Sequence, residues 1–336
     1  MGSLRVLIAV LSLCSLMDFG VLGDGEGEAP HAASSLSSSA YQLPAYQRRY
    51  KAQRFSSAFG NLWSPSHQRV SAEDLSVSLT LDHHSGSGFK SFSSFQYGLF
   101  SAAIKLPANN SAGVAITFYT SNNGVYKSNH DEVDFEFLGV LPGEPFVVQT
   151  NVYGNGSTSV GREQRFHLWF DPTTDFHHYS ILWTPNHIVF FIDGVPIREM
   201  KNSKQLGVQY PSKPMSVYGT IWDASTWATE GGKYKIDFKF SPFIATYKDL
   251  VLHGCIQKPD SFVEENIVSD IDMEEIYSNC NLQDSTNDSP IFDNFLTYDQ
   301  QMGLQWVRTN YMIYDYCTDV SRYPHQLPEC QQSVVN

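Results

Sequence analysis

The segment H-D-E-V-D-F-E-F-L-G, residues 130–139, decides the fold of this chain. Its apolar and acidic side chains alternate strictly, with Val133, Phe135 and Phe137 between Glu132, Asp134 and Glu136. Side chains two residues apart point to the same face of an extended strand. The pattern therefore predicts a β-strand with an apolar face on a core and a carboxylate-bearing face towards solvent.

Three carboxylates in a row make an unusual solvent face, because like charges repel and no cation lies between them. Glycoside hydrolysis with retention uses such groups: one carboxylate attacks the anomeric carbon and another protonates the leaving oxygen. On a flat strand the Cα atoms of Glu132 and Glu136 lie about 13 Å apart. A retaining pair needs carboxyl groups about 5 to 5.5 Å apart. The catalytic interpretation thus requires a concave sheet on which the two side chains lean together; an ordinary solvated sheet face is the alternative.

The complete motif strongly resembles the active-site strand of the plant xyloglucan endotransglucosylase/hydrolases, a branch of glycoside hydrolase family 16. The resemblance implies that Glu132 is the nucleophile and Glu136 the acid/base, and that Asp134 assists them. Related laminarinases and lichenases insert one residue before the second Glu, and this chain does not. The resemblance implies a cell-wall enzyme that cuts the β-1,4-glucan backbone of xyloglucan and passes the fragment to another xyloglucan chain or an oligosaccharide acceptor.

Two other functions stay open at this stage. The first is a predominantly hydrolytic endoglucanase acting on xyloglucan or a mixed-linkage glucan, because the carboxylates of transfer and hydrolysis are the same. The second is a non-catalytic lectin-like sandwich that binds glucan, since a hairpin such as the one around Asp193-Gly194 also occurs in sugar-binding domains. The intact set of three acids argues against the second.

Composition and patterning divide the chain into four parts. An apolar run at 6–16 follows a positive charge and is too short to span a bilayer, which predicts a secretory signal. The Gly-, Ala- and Ser-rich stretch behind it has too few apolar residues to order itself. The predicted parts are a signal peptide (1–23), a flexible leader (24–50), a catalytic sandwich (51–250) and a disulfide-stapled C-terminal extension (251–336).

The net charge of −13 at pH 7 argues against nucleic acid as a partner, because its phosphates would be repelled. No stretch after the signal has the length and apolarity of a membrane span. We therefore expect a soluble, exported protein that is a monomer, and the resemblance implies that it acts in the cell wall (the apoplast). Cys and His residues show no zinc-site spacing, so no metal is expected. The resemblance implies no cofactor either.

Short apolar and aromatic segments separated by turn signals predict an all-β protein. Besides the acidic segment, the predicted strands are 75–81, 95–106, 114–120, 147–153, 166–170, 179–183 and 188–192, with a turn at 86–89. Short strands at this spacing, with no long helical pattern between them, predict a β-sandwich. The resemblance specifies a jelly roll with a concave substrate cleft, over about 61–330. Residues 297–314 depart from this pattern, because their apolar side chains recur at helical offsets.

Two tryptophans five residues apart, Trp222 and Trp227, are candidate sugar-binding residues. Indole rings stack on flat apolar faces, although two core tryptophans are the alternative. The resemblance implies that this pair lines the sugar subsites. It also implies that Gln149, Asn151 and Glu163 hydrogen-bond to sugar hydroxyls.

Removal of the signal takes away Cys14 and leaves an even number of cysteines, for which three pairings are open. The resemblance implies the pairs Cys255–Cys280 and Cys317–Cys330. The stretch from residue 314 onward closely resembles the C-terminal extension of the family, which lengthens the acceptor side of the cleft. Sequons at Asn109 and Asn155 predict N-glycosylation.

Overall fold

The computed structural model describes residues 50–257 and 295–330. In this part of the chain two α-helices, α1 (Phe55–Ala58) and α2 (Tyr298–Asn310), accompany fourteen β-strands. The strands are β1 (Phe59–Trp63), β2 (Gln68–Val70), β3 (Ser76–Leu81), β4 (Ser87–Lys105), β5 (Val114–Ser121), β6 (Glu132–Leu138), β7 (Val147–Tyr153), β8 (Gln164–His167), β9 (His177–Trp183), β10 (His187–Ile192), β11 (Val195–Lys201), β12 (Met215–Asp223), β13 (Phe243–Gln257) and β14 (Met312–Asp315).

The long strand β4 belongs to two layers of antiparallel sheet. Its first part pairs with β12 in a front layer of order β1-β4-β12-β5-β6-β7-β8-β14. Its second part pairs with β9 in a back layer of order β2-β3-β13-β4-β9-β10-β11. Between the two parts, Tyr97 and Gly98 have φ of 64° and 154°. These values let the strand change direction where regular β geometry would not.

The core lies between the layers and contains many aromatic side chains among its aliphatic ones. Phe135 of β6 meets Phe190 of the back layer edge-on at 5.1 Å, and Phe137 meets Tyr179 at 4.5 Å. Val133, Phe135 and Phe137 are completely buried. The apolar face predicted for the acidic segment is thus confirmed, and β6 lies in the middle of the front layer. The prediction of an all-β sandwich is confirmed as well.

Several predicted elements differ from the observed ones. Residues 86–89 are not a turn, because Ser87–Phe89 belong to β4. A Cβ at Gly88 would collide with the Trp63 ring, so glycine serves close packing there. The predicted strand 166–170 is wrong beyond His167, because Trp169 and Phe170 leave the sheet. Trp169 packs against Trp306 of α2 at 5.3 Å.

The predicted C-terminal helix is shorter than expected. Thr297 and Gln300 form a capping box at its start, and α2 ends at Asn310. Residues 312–315 form β14, which pairs with β8 and extends the front layer. This short strand lies at the edge of the front layer. The predicted boundary at residue 250 falls inside β13, whose pairing with β4 continues to Gln257.

Of the two predicted disulfides, Cys317–Cys330 is confirmed, with Cα atoms 5.4 Å apart. The pair Cys255–Cys280 stays a prediction, because Cys280 lies outside the described residues. The predicted signal and the leader up to residue 49 also lie outside them. No helix in the described part is both long and apolar enough to cross a membrane.

Candidate active site

The three acids of β6 occupy one face of the front layer, away from the core. Across β5, Glu132 faces Ser121, Asp134 faces Tyr119 and Glu136 faces Thr117. Across β7, the same acids face Tyr153, Asn151 and Gln149, respectively. The register brings the predicted catalytic residues together with hydroxyl and amide groups on both sides.

Glu132 has partners that favour its ionised form. The Ser121 side chain hydrogen-bonds to it, and Nε2 of His130 lies 4.0 Å from its Oε2 atom. Burial is the largest influence and raises the pKa of Glu132, while Ser121 and His130 oppose the rise. This carboxylate is therefore desolvated, yet close to groups that stabilise a negative charge.

Glu136 lies at the end of a hydrogen-bonded chain. Nε2 of Gln149 donates to Oε2 of Glu136 at 2.6 Å, and Nε of Arg165 donates to Oε1 of Gln149 at 2.6 Å. Burial raises the pKa of Glu136 to about 7, and the charges of Glu132 and Glu163 add to the rise. A carboxyl group with such a pKa can donate a proton near neutrality.

Asp134 lies between the two glutamates and is only 6 % exposed. Burial raises its pKa well above the ordinary range, and the charges of Glu132 and Glu136 raise it further. Arg198, from the core side, acts in the opposite direction. The three acids therefore titrate as one interacting set.

Sequence reasoning missed the group that fixes the start of β6. The carboxylate of Asp131 is fully buried and accepts hydrogen bonds from the backbone N–H of Asn155, Ser212 and Lys213 at 2.5, 2.8 and 2.8 Å. Nζ of Lys213 also lies 2.8 Å from it. One carboxylate thus joins three loops immediately before Glu132.

Aromatic side chains form part of the same face. Tyr119 and Tyr218 stack with ring centroids 4.9 Å apart, and neither was predicted as a site residue. Period-two alternation in β5 and β12 is the sequence signal that would have found them. Trp222 is 36 % exposed on this face, opposite Ala115, and its ring centroid lies 6.0 Å from that of Trp227.

The three predicted hydrogen-bonding residues have protein partners. Gln149 and Asn151 are buried, and Asn151 Oδ1 accepts from the backbone N–H of Arg162 at 2.9 Å. Glu163 forms an ion pair with Arg322 of the C-terminal segment at 2.6 Å. Both polar atoms of the Gln149 amide form hydrogen bonds: Nε2 donates to Glu136, and Oε1 accepts from Arg165.

A cavity of about 270 Å³ lies beyond the Glu136 end of β6. Its walls are mostly apolar, and its polar members include Arg165 and His167. Within residues 50–257 and 295–330, no three His, Cys, Asp or Glu side chains are arranged to hold a metal ion.

Comparison with known proteins gives matches over both parts of the described chain. Residues 55–240 match the family described as glycosyl hydrolases family 16. Residues 285–330 match the xyloglucan endo-transglycosylase (XET) C-terminus.

Two relatives from Arabidopsis thaliana illustrate the similarity. The probable xyloglucan endotransglucosylase/hydrolase protein 30 is 46% identical over 291 residues, which cover 82% of this chain and 80% of that protein. Protein 29 of the same description is 47% identical over 279 residues, covering 82% and 76%. Among solved structures, the Crh5 transglycosylase in complex with NAG has a TM-score of 0.50 at 21% identity, over 61% of this chain and 82% of that one. At this identity the likeness concerns the fold alone.

Proposed function

Because the chain belongs to glycosyl hydrolase family 16 and, within it, to the xyloglucan endotransglucosylase/hydrolases, we propose that it cleaves the β-1,4-glucan backbone of xyloglucan. The fragment is then transferred to a second xyloglucan chain or oligosaccharide. Glu132 is the nucleophile, Glu136 the acid/base, and Asp134 assists both. The reaction needs no cofactor.

In the first step the Glu132 carboxylate attacks the anomeric carbon, and the bond to the leaving oxygen breaks as Glu136 donates its proton to that oxygen. A glycosyl ester on Glu132 results. In the second step the ionised Glu136 takes the proton of an incoming hydroxyl, whose oxygen bonds to the anomeric carbon as the ester breaks. When the hydroxyl belongs to a sugar, one glycosidic bond replaces an equivalent one. Transfer then depends on acceptor binding outcompeting water.

The observation that carries the proposal is the unequal environment of two glutamates on one face of β6. Burial raises the pKa of Glu136 to about 7, which suits a proton donor. Glu132 has Ser121 and His130 to stabilise its ionised form, which suits a nucleophile. A bare row of solvated acids would not differ in this way.

We place the sugar rings on the aromatic side chains of the same face. Trp222 is exposed beside Trp227, and indole rings stack well on apolar sugar faces. Asn151 and Glu163 supply hydrogen bonds to hydroxyl groups. Gln149 positions the acid/base through its 2.6 Å hydrogen bond, in addition to any contact with substrate.

Export to the cell wall as a monomer belongs to the same proposal. The sequons at Asn109 and Asn155 have exposed asparagines that oligosaccharyl transfer can reach. The Cys317–Cys330 disulfide fits an oxidising compartment. Intact-mass analysis of the exported protein before and after glycan removal tests both sequons.

One assay tests the function. The protein is incubated with xyloglucan, with and without a fluorescent xyloglucan oligosaccharide, and both polymer-bound label and new reducing ends are measured. Transfer places label in polymer without a matching rise in reducing ends; hydrolysis raises reducing ends with or without the acceptor. Mixed-linkage glucan serves as the alternative substrate and Glu132→Gln as the inactive control. Binding of xyloglucan with neither product would overturn the proposal.

A further inference from the structure

The side chain of Arg198, on β11, lies in the core of the sandwich and is only 2 % exposed. Its Nη1 donates to the backbone carbonyl of Thr150 at 2.9 Å and to the Thr150 hydroxyl at 3.0 Å. Its Nη2 is buried without a hydrogen-bond partner among the described residues. Its described contacts include no ion pair with a carboxylate, although burying an unpaired charge is costly.

The position of this cation is beneath the middle of β6. Thr150 faces Phe135 across the β6–β7 pair. The guanidinium also lies 5.6 Å from the ring of Phe190, which meets Phe135 edge-on at 5.1 Å. Arg198 therefore contacts two neighbours of Phe135, the residue next to Asp134 in the chain.

A contact with the C-terminal segment completes the surroundings. The guanidinium lies 5.7 Å from the ring of Tyr316, which precedes the disulfide-bonded Cys317. The aromatic rings of Phe190 and Tyr316 offer it cation–π contacts in place of a carboxylate. This cation is thus enclosed by the front layer, the back layer and the segment after β14.

We propose that Arg198 is a positioning residue of the reaction, which acts as a buried positive charge under the three acids and holds the strand that carries Gln149 and Asn151. Its charge favours the ionised state of Asp134, which in turn interacts with both glutamates, and its bond to Thr150 fixes β7 against β6. The inference rests on the proposed function, because the acids matter only if they are catalytic.

The charge state of the set depends on several other groups. On the acid face, Asp134 interacts with Glu132, Glu136, Tyr119 and Tyr153. Around the guanidinium, the charged or titratable neighbours are Tyr316, Asp315, Arg162 and Glu163. Among the influences on Asp134, Arg198 is the one that lowers its pKa. Removing a positive charge therefore raises the pKa of Asp134 and moves the ionisation of the set to higher pH.

The test compares the pH profile of kcat/KM in Arg198→Met, Arg198→Gln and Arg198→Lys with that of the wild type. In the two neutral variants, the acidic limb of the profile should move to higher pH by roughly half a unit to one unit. This shift is smaller than the one caused by removing a charge in direct contact. Arg198→Lys keeps the charge and should keep the limb near its wild-type position. Thr150→Val removes one hydrogen-bond acceptor but leaves the cation, so it should lower thermal stability and not move the limb.

A purely structural role gives different results. Activity would then fall by the same factor at every pH, or Arg198→Lys would shift the limb as far as Arg198→Met, and either result overturns the proposal. Failure of both neutral variants to fold would make Arg198 a requirement of the fold and would equally overturn it.

The proposed function is wrong if the wild-type protein neither transfers nor hydrolyses xyloglucan, and this outcome is distinct from a failure of the inference about Arg198. In that case the infrared band of protonated carboxylic acids is followed against pH in the wild type and in Arg198→Met. The upward shift of its midpoint in the variant supports the charge effect without any assay of activity, and an unchanged midpoint refutes it.

Discussion

At the Glu132 end of β6, the neighbouring side chains include a hydroxyl from Ser121 and an imidazole from His130. At the Glu136 end, the neighbours include the amide of Gln149, held in place by Arg165, but also the negative charges of Glu132 and Glu163. Both glutamates are desolvated on the same strand. They differ in their hydrogen-bonding partners: the Ser121 hydroxyl bonds to Glu132, and the Gln149 amide bonds to Glu136.

In the proposed mechanism, this difference lets one strand supply two chemical roles with one residue type. Desolvation alone would push both pKa values upward and leave the two acids equivalent. The partners on β5 and β7 break that equivalence, and they are fixed by register: Ser121 faces Glu132, and Gln149 faces Glu136. The roles are therefore properties of the sheet rather than of the acidic motif alone.

The largest expected effect separates the two roles directly. Glu132→Gln should reduce both transfer and hydrolysis by at least about 10³-fold, because no glycosyl ester can form, while xyloglucan binding stays nearly intact. Glu136→Gln should lose activity on xyloglucan by a similar factor. It should still react with an aryl glycoside of a xyloglucan oligosaccharide, whose leaving group needs no proton.

Azide distinguishes the two variants further. Added azide should attack the anomeric carbon of the glycosyl ester that Glu136→Gln forms. The product is a β-glycosyl azide, which mass spectrometry and NMR detect. Glu132→Gln should not give this product. The reverse pattern, or more than a few per cent of residual activity in Glu132→Gln, would show that the roles are exchanged or misassigned.

A smaller but still large effect concerns what fixes the Glu132 end. Asp131→Asn replaces a fully buried carboxylate that accepts from three backbone N–H groups and Lys213. An amide leaves these donors poorly matched, so we expect a loss of about 2–4 kcal/mol in the free energy of unfolding. Urea unfolding at constant pH measures it.

The matched control is Glu230→Gln, which removes an exposed ion pair with Lys233. Such a pair contributes about 0–1 kcal/mol, and the variant should unfold near the wild-type midpoint. If Asp131→Asn were as stable as this control, the start of β6 would not depend on the buried carboxylate.

The sequence predicted β6 well because alternation over seven residues identifies both faces of a strand. It could not identify the partners of the acids, because strand register pairs Glu136 with Gln149 thirteen residues away, and a contact between loops joins Asp131 to Lys213 eighty-two residues away. Arg198 was missed for the same reason. In β11, Arg198 is one of three charged residues, with Glu199 and Lys201, and nothing in the sequence marks it as the one that contacts Thr150.

The C-terminal segment shows a different limit. Its apolar side chains fit a helix up to residue 314, and the capping box at Thr297 confirms the start. The end depends on whether a sheet edge is available for pairing. Residues 312–315 join β8, so a tertiary contact replaces the last helical turn predicted from local periodicity. Gln149 illustrates the same limit for the site: the resemblance implies a sugar contact, which stays a prediction, and the structure adds a hydrogen bond from its amide to Glu136 that the sequence did not indicate.

The smallest expected effects test the comparison most sharply, because each variant should move one limb of the pH profile of kcat/KM. Gln149 donates to Glu136 and so favours its ionised form; Gln149→Leu therefore raises the pKa of Glu136 above about 7. Since Glu136 must be protonated for attack, the alkaline limb should move to higher pH by roughly half a unit to one unit.

Ser121→Ala removes a hydrogen bond that lowers the pKa of Glu132. Because Glu132 must be ionised, the acidic limb should then move to higher pH by about half a unit.

Thr117→Val is the control for both variants. Thr117 faces Glu136 across β5, but its hydroxyl group hydrogen-bonds to that of Thr220 at 2.6 Å, so neither limb should move. If Ser121→Ala and Gln149→Leu each moved both limbs equally, the three acids would titrate as one inseparable set and the two ends of β6 would not differ in the free enzyme.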